Sequence, residues 1–283
     1  MISAQELAAW RPFAPWSSDL MVEQDYLLTQ AVAAIYEDKF LKGHVAMRGG
    51  TVLHKGHLAP ASRYSEDIDL VLVTERPSAH IKKALARVLA PLLGSPTESV
   101  LTDIQLAVRN LVAKSKIIRT TYTYDPHSTE ATFSHLKVEV NVNENRSLYP
   151  LVPVELTVPD AMTTRQVSVV SYDLDEMLGT KIRALLQREH GRDLFDLWWA
   201  WKMSNTNTAV KVDPSRVGAA FRFYMNQEGS HFSAATVQQE LERRMKSRKF
   251  LGDMDGYLPA GHSYSPQQAC EDFFRMFLPH IEG

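Results

Sequence analysis

Residues 68–74, IDLVLVT, constrain this chain more tightly than any other stretch. The run is apolar and β-branched, which reads as a buried strand. Yet Asp67 and Asp69 stand at its mouth, one residue apart. Residues two apart on a strand share a face, so both carboxylates point one way while Ile68 and Leu70 point into the core. Like charges side by side repel, and burying them unpaired is costly. A hard divalent cation such as Mg2+ relieves both, because it takes oxygen ligands and usually keeps phosphate oxygens among them. Taken alone, Asp-x-Asp is also common on exposed strand ends and turns, so the surrounding sequence has to decide.

A third carboxylate is available. In LKVEVNV, Lys137, Glu139 and Asn141 alternate with Leu136, Val138, Val140 and Val142, a strand pattern. If that strand lies beside the first, Glu139 completes a metal site with Asp67 and Asp69. Such a site can hold two ions that clamp the attacking and leaving oxygens of a phosphoryl transfer. Upstream stands RGGT, Arg48 to Thr51, with Gly49 and Gly50 between a predicted strand and a predicted helix. Glycines there let the backbone approach a ligand, and a helix start offers free N–H groups to phosphate. Within RYSEDIDL, Ser65 reads as a phosphate donor or a cap on the strand entry, and Arg63 as a phosphate ligand or a partner of Glu66.

The rest of the chain divides in two. Helical spacing over 19–41 precedes a strand in HVAMRGG and a helix in TVLHKGHL. An amphipathic helix follows over 80–94, then paired strands over 116–124 and 133–142 and another over 165–172. From 173 onward helical periods dominate, over 173–189, 192–203, 214–227, 233–247 and 265–280. The expected organisation is an α/β domain, 1–170, followed by an all-helical domain, 171–283.

The chain has 283 residues, 45% hydrophobic and 23% charged, values of an ordinary globular protein. Cys270 is the single cysteine, which excludes an intramolecular disulfide and fits a reducing cytoplasm. The N-terminus lacks a signal peptide's basic start and apolar core, and no apolar run approaches the roughly 18 residues of a membrane span. His54 and His57 lie three apart with no third ligand nearby, so no zinc site is read there. The net charge of −2 advertises no nucleic-acid partner, which would need a local basic patch. LERRMKSRKF supplies one candidate: Arg243, Arg244, Lys246, Arg248 and Lys249. It can track a phosphate backbone, or it is a solvated helix end with cations near its negative pole.

On a helix over 173–189, Leu174, Leu178, Ile182 and Leu185 form one apolar arc, and Lys181 falls on its flank. Arg188 lies almost above Lys181. Two cations on one edge can cradle a triphosphate or an RNA backbone, or the lysine simply snorkels to water. In GRDLFDLWW, Gly191 can end one helix and Asp193 can sit in the first turn of the next. Arg192 and Asp196, four apart, could form a surface ion pair. Trp198 and Trp199 continue the apolar face and read as packing.

Together these segments resemble a known family. MRGGTVL with RYSEDIDLVLV looks like the first motif of DNA polymerase β-type nucleotidyltransferases, and of the AbiEii/MenT-type toxins in particular. LKVEVN is similar to the second motif, with Glu139 as its carboxylate. LGTKIRALLQREHGRDLFDLWWA, 178–200, resembles the long C-terminal signature. Arg48 stands where lysine is common. The resemblance implies a nucleotidyltransferase α/β fold, a mixed sheet with flanking helices, with its site in the cleft between that domain and the helical one. It implies Mg2+-dependent transfer of a nucleotide from an NTP, with Asp67, Asp69 and Glu139 on the metal. Gly49, Gly50, Thr51, Arg63, Ser65, Lys181, Arg188 and Arg192 would bind the nucleotide. Lys181, Asp193 and Asp196 would belong to the catalytic set, with Arg192, Asp193 and Asp196 close to the active site and ordering Lys181 and the metal-bound phosphates. The implied biology is a toxin, in a toxin–antitoxin or phage-defence pair, with tRNA as acceptor and a cognate antitoxin encoded nearby. A small-molecule or protein acceptor, or non-catalytic nucleotide or RNA binding, are the competing readings.

Overall fold

The computed structural model describes residues 2–108 and 111–282. Seven strands, β1 (Val45–Arg48), β2 (Asp67–Leu72), β3 (Glu98–Val108), β4 (Leu111–Tyr124), β5 (Ser134–Asn141), β6 (Val152–Asp160) and β7 (Thr163–Ser171), form one mixed sheet. Their order is β3-β4-β5-β2-β1-β7-β6, with β2 parallel to β5 and β1 parallel to β7. The helices before and within the sheet region are α1 (Ala4–Trp10), α2 (Asp19–Glu37), α3 (Lys39–Lys42), α4 (Gly49–Val52) and α5 (Ser78–Leu93). After β7 come α6 (Leu174–Gln187), α7 (Gly191–Thr206), α8 (Pro214–Gln227), α9 (Ala234–Arg244), α10 (Arg248–Leu251) and α11 (Pro266–Met276).

The strand run at 68–74 is central, as its composition requires. Ile68 and Leu70 are fully buried, and α2, itself lined by Leu28, Ala31, Val32 and Ile35, packs over the same sheet. One apolar core continues from Met47, Val138 and Val169 into Leu178, Ile182, Phe221 and Phe273 of the C-terminal helices. Those helices therefore dock on the sheet by burying the arc seen in the sequence at 174–185. Among the described residues no helix is long and apolar enough to cross a membrane.

Two differences from the sequence pattern have local causes. The helix expected over 19–41 breaks at Asp38, which leaves helical geometry and accepts from the amides of Phe40 (3.1 Å) and Leu41 (2.9 Å) to start α3. A side chain that satisfies orphan N–H groups stops one helix and caps the next. The strand β6 escapes the pattern because Pro153 and Pro159 interrupt it, and proline is tolerated on an edge strand, where β6 lies.

Candidate active site

Strand register builds the first half of the site. Arg48 on β1 stands opposite Asp69 on β2; Asp69 is opposite Glu139 on β5, and Glu139 is opposite Arg119 on β4. One row across four strands thus carries charges in the order plus, minus, minus, plus. Asp67, two residues earlier on β2, is opposite Lys137. All of these except Lys137 line a cleft of about 480 Å³.

Gly49 explains how Asp69 fits. Its φ is +83°, and a Cβ there would lie 2.0 Å from Asp69 Oδ2. Glycine is required by both the backbone angle and the space. Gly50 is as tight, with a Cβ position 2.7 Å from Arg63 Nη2 and 2.9 Å from Ser65 Oγ. The glycine pair therefore admits side chains against the backbone at the cleft floor.

Neither Asp67 nor Asp69 has a side-chain hydrogen bond or ion pair among the described residues. Burial, then the neighbouring Asp69 charge, pushes the Asp67 carboxyl up to about 7. Burial, then Glu139, raises Asp69 as well. Two cleft-facing carboxylates without partners fit a divalent cation by donor type and by unmet charge. Glu139 differs, because Arg119 Nε donates to its Oε1 at 2.7 Å. Among the described residues no three Asp, Glu, His or Cys side chains are gathered as a ready metal cage.

The opposite wall is cationic and comes from α6, the residue after its end and the loop before β2, held from behind by α7. Lys181 Nζ lies 3.1 Å from Asp193 Oδ1 and 2.6 Å from Asp196 Oδ2. Arg188 donates to both oxygens of Asp193, at 2.8 and 2.9 Å. Arg63 donates to both oxygens of Asp196, at 2.6 and 2.8 Å. His54 Nε2 completes the Asp196 set at 2.8 Å. Lys181, Arg188 and Arg63 line the cleft, whereas Asp193 and Asp196 are fully buried behind them. Burial alone would raise both aspartates, but Arg188 and Lys181 hold Asp193 low, and Arg63 and Lys181 hold Asp196 low. Both stay ionised and fix three cations in place.

Several sequence expectations change here. Asp193 and Asp196 lie behind the cleft wall and do not line it; they hold Lys181, the ordering role that the resemblance implied, and they also hold Arg63 and Arg188. The ion pair between Arg192 and Asp196 does not form, because Asp196 points inward to Arg63. Arg192 lines the cleft instead, bonded to the Tyr257 hydroxyl at 3.1 Å with Glu66 3.7 Å away. Arg63 pairs with Asp196 rather than Glu66. Thr51 is buried; its hydroxyl donates to the Asp67 carbonyl (2.7 Å) and hydrogen-bonds Ser65 (2.9 Å). It supports the loop and has no surface for a nucleotide, while Ser65 does line the cleft. Gly191 opens α7 rather than ending α6, since a Cβ there would sit 2.1 Å from the Phe250 carbonyl oxygen.

The structure adds cleft residues to which the sequence assigned no role. Glu144 accepts from Arg48 (2.6 Å) and Arg183 (3.0 Å), and Arg183 also pairs with Glu228 (3.0 Å). Burial opposes ionisation of Glu144, but Arg48 and Arg183 hold its carboxyl down at about 2. Arg183 lies inside the KIRAL segment, and Arg48 inside RGGT, so both stood in quoted motifs; Glu144 and Glu228 carried no sequence signal.

The basic stretch divides. Arg243, Lys246, Arg248 and Lys249 are exposed. Arg244 is buried, and this corrects its reading as a nucleic-acid contact. It bonds Glu240 (2.9 Å), the Leu186 carbonyl (2.7 Å) and the Arg188 carbonyl, so it satisfies orphan acceptors at the end of α6. Arg244→Met is expected to lower unfolding free energy by about 3 kcal/mol, because it strips a charge partner and two carbonyls at once. Urea denaturation measures it; a loss no larger than that of Arg243→Met would contradict the capping role.

His54, which is buried, and His57, which is partly buried, shape the acid limb. Burial, then Arg63, lowers His54 to about 4, and burial lowers His57 to about 4 despite Asp173 nearby. The ordinary value is 6.5. The unfolded chain therefore takes up protons first as pH falls, and stability drops between pH 6.5 and 4 by up to about 3 kcal/mol per histidine. Asp67, raised to about 7, works in the opposite sense over 3.8 to 7. His57 bonds only the Ser171 hydroxyl among side chains, at 3.0 Å. His57→Asn should flatten the acid limb by up to about 3 kcal/mol in denaturation curves taken from pH 7 to 4.5; an unchanged slope would show that His57 titrates normally.

Comparisons with known proteins bear on the family and the fold. The family model described as nucleotidyl transferase AbiEii toxin, type IV toxin–antitoxin system, matches residues 28–275. Among solved structures the chain is similar to MenT4, a nucleotidyltransferase toxin from Mycobacterium tuberculosis H37Rv. That alignment has 12% identity and a TM-score of 0.55, covers 98% of this chain and 90% of that one, and shows a shared fold. No curated protein matches the sequence.

Proposed function

The chain belongs to the AbiEii family of nucleotidyltransferase toxins of type IV toxin–antitoxin systems, and from that premise we propose that it transfers an NMP from a Mg2+-bound NTP to RNA, with tRNA as acceptor. The observation that carries the reading is the pairing of walls: two unpartnered carboxylates face three cations locked by buried aspartates. Asp67 and Asp69 would hold the metal, with Glu139 beside them. When bound, the ion would supply charge neutralisation at the reacting phosphate.

The chain's own groups do the rest. The Gly49–Gly50 turn brings backbone and the Ser65 hydroxyl to the cleft floor, where phosphate oxygens can be bound. Lys181, Arg188 and Arg63, preset by Asp193 and Asp196, offset the triphosphate's charge and that of the departing pyrophosphate without reorganising. One of the three carboxylates receives the proton of the acceptor hydroxyl as it attacks the α-phosphorus. Arg243, Lys246, Arg248 and Lys249 offer an exposed cationic surface to a polyanionic acceptor. The toxin acts in the cytoplasm, and its neutralisation falls to an antitoxin, as the family's type IV system implies.

The test incubates purified protein with Mg2+, total tRNA and each α-32P-labelled NTP in turn. Label on RNA from the wild type and not from Asp69→Asn supports the reading and names the nucleotide. Label on protein or a small molecule alone would replace the RNA acceptor. No transfer to any acceptor would sink it.

A further inference from the structure

We propose that Arg119 is a latch on Glu139: by holding the third carboxylate in an ion pair, it keeps that carboxylate out of the metal site until the guanidinium lets go. The inference rests on the reading of Asp67, Asp69 and Glu139 given above. Among the described residues, only Glu139 of the three carboxylates has a side-chain partner, Arg119 Nε at 2.7 Å. Glu139 stands in register between Asp69 and Arg119, so its side chain can serve either neighbour.

The two arginines that end the charge row are not equivalent. Arg48 is committed, since its guanidinium pairs with Glu144, and Glu144 also holds Arg183. Arg119 has no such tether. Its side chain is 40% exposed on the cleft wall, and Glu139 is its one ion-pair partner among the described residues. A half-exposed pair contributes only about 1 kcal/mol, so it can open and close, unlike the buried Asp196 cluster. An incoming phosphate offers the freed guanidinium another anion, for which arginine's fork is well shaped. Glu139 would then join the metal site when a nucleotide or acceptor phosphate draws Arg119 away.

The latch makes removal of a cleft cation tighten metal binding through one specific residue. Mn2+ binding to the full chain, read by EPR without nucleotide, tests it. Arg119→Ala should bind Mn2+ about fivefold more tightly than the wild type, since a ~1 kcal/mol constraint is lifted. In a Glu139→Gln background the same substitution should change affinity by less than about twofold, as a double-mutant cycle requires of a pairwise effect. No gain in Arg119→Ala overturns the latch, as does an equal gain in both backgrounds, which would mean only a long-range charge effect. Asp69→Asn separates the premise: if it binds Mn2+ like the wild type, the carboxylate site itself is wrong. If it loses Mn2+ while Arg119→Ala gains nothing, the latch alone falls.

Discussion

Asp69→Asn should lower nucleotide transfer by about 10³-fold or more, equivalent to ~4 kcal/mol of transition-state stabilisation, while leaving the fold as stable as the wild type or more so. The two halves of this expectation share one cause. Asp69 is a buried carboxylate facing the cleft with no partner, and both burial and Glu139 oppose its ionisation. In the free protein the charge is a burden, so an isosteric amide relieves it. The amide keeps the shape against Gly49, where a Cβ would stand 2.0 Å from Oδ2, yet binds a divalent ion poorly. Activity, measured with Mg2+, and melting temperature, measured on the same preparation without added metal, should move in different directions. A melting temperature several degrees below the wild type would show instead that Asp69 holds the fold together.

Asp196→Ala should behave in the opposite way and lower stability by roughly 3–5 kcal/mol, or about 6–20 °C in melting temperature at ~2–4 °C per kcal/mol. The carboxylate is fully buried and serves three groups, Arg63, Lys181 and His54. Truncation leaves the buried Arg63 without its carboxylate and Lys181 with Asp193 alone, and an uncompensated buried charge costs more than the pair was worth. Transfer should fail too, because Arg63 and Lys181 lose their fixed positions on the cleft wall. Asp196→Asn retains an acceptor oxygen and should fall between the two in stability. Differential scanning calorimetry beside the labelled-nucleotide assay separates this from the Asp69 case. An Asp196→Ala protein that melts like the wild type would show that the cluster positions nothing.

The contrast between these aspartates shows how far a linear reading reaches. Asp67, Asp69 and Glu139 were legible because strand period is local: two carboxylates at a β-branched run must share a face, and an alternating run around Glu139 must present it with Lys137 and Asn141. The glycine pair was legible for the same reason, since a turn between strand and helix calls for it. The C-terminal helices followed from 3.6-residue spacing, and the arc at 174–185 does bury itself against the sheet. Resemblance to the family's C-terminal signature placed Lys181, Arg188, Asp193 and Asp196 in one motif.

What the sequence could not decide was who pairs with whom. Arg63 meets Asp196 across 133 positions, and Arg48 meets Glu144 across 96. No periodicity reports such distances, and an arginine beside a glutamate in sequence, such as Arg63 near Glu66, suggests the wrong partner. Burial was equally invisible at Arg244, whose run of cations reads as a solvated patch until α9 turns it onto the carbonyls ending α6. The chain by itself determined the strand and helix periods, the cleft carboxylates and the glycines between them, because each depends on a few adjacent residues. The tertiary structure alone decided which charges are spent on holding the wall and which are left facing the cleft, because that choice is made by desolvation and by contacts between segments far apart in the chain.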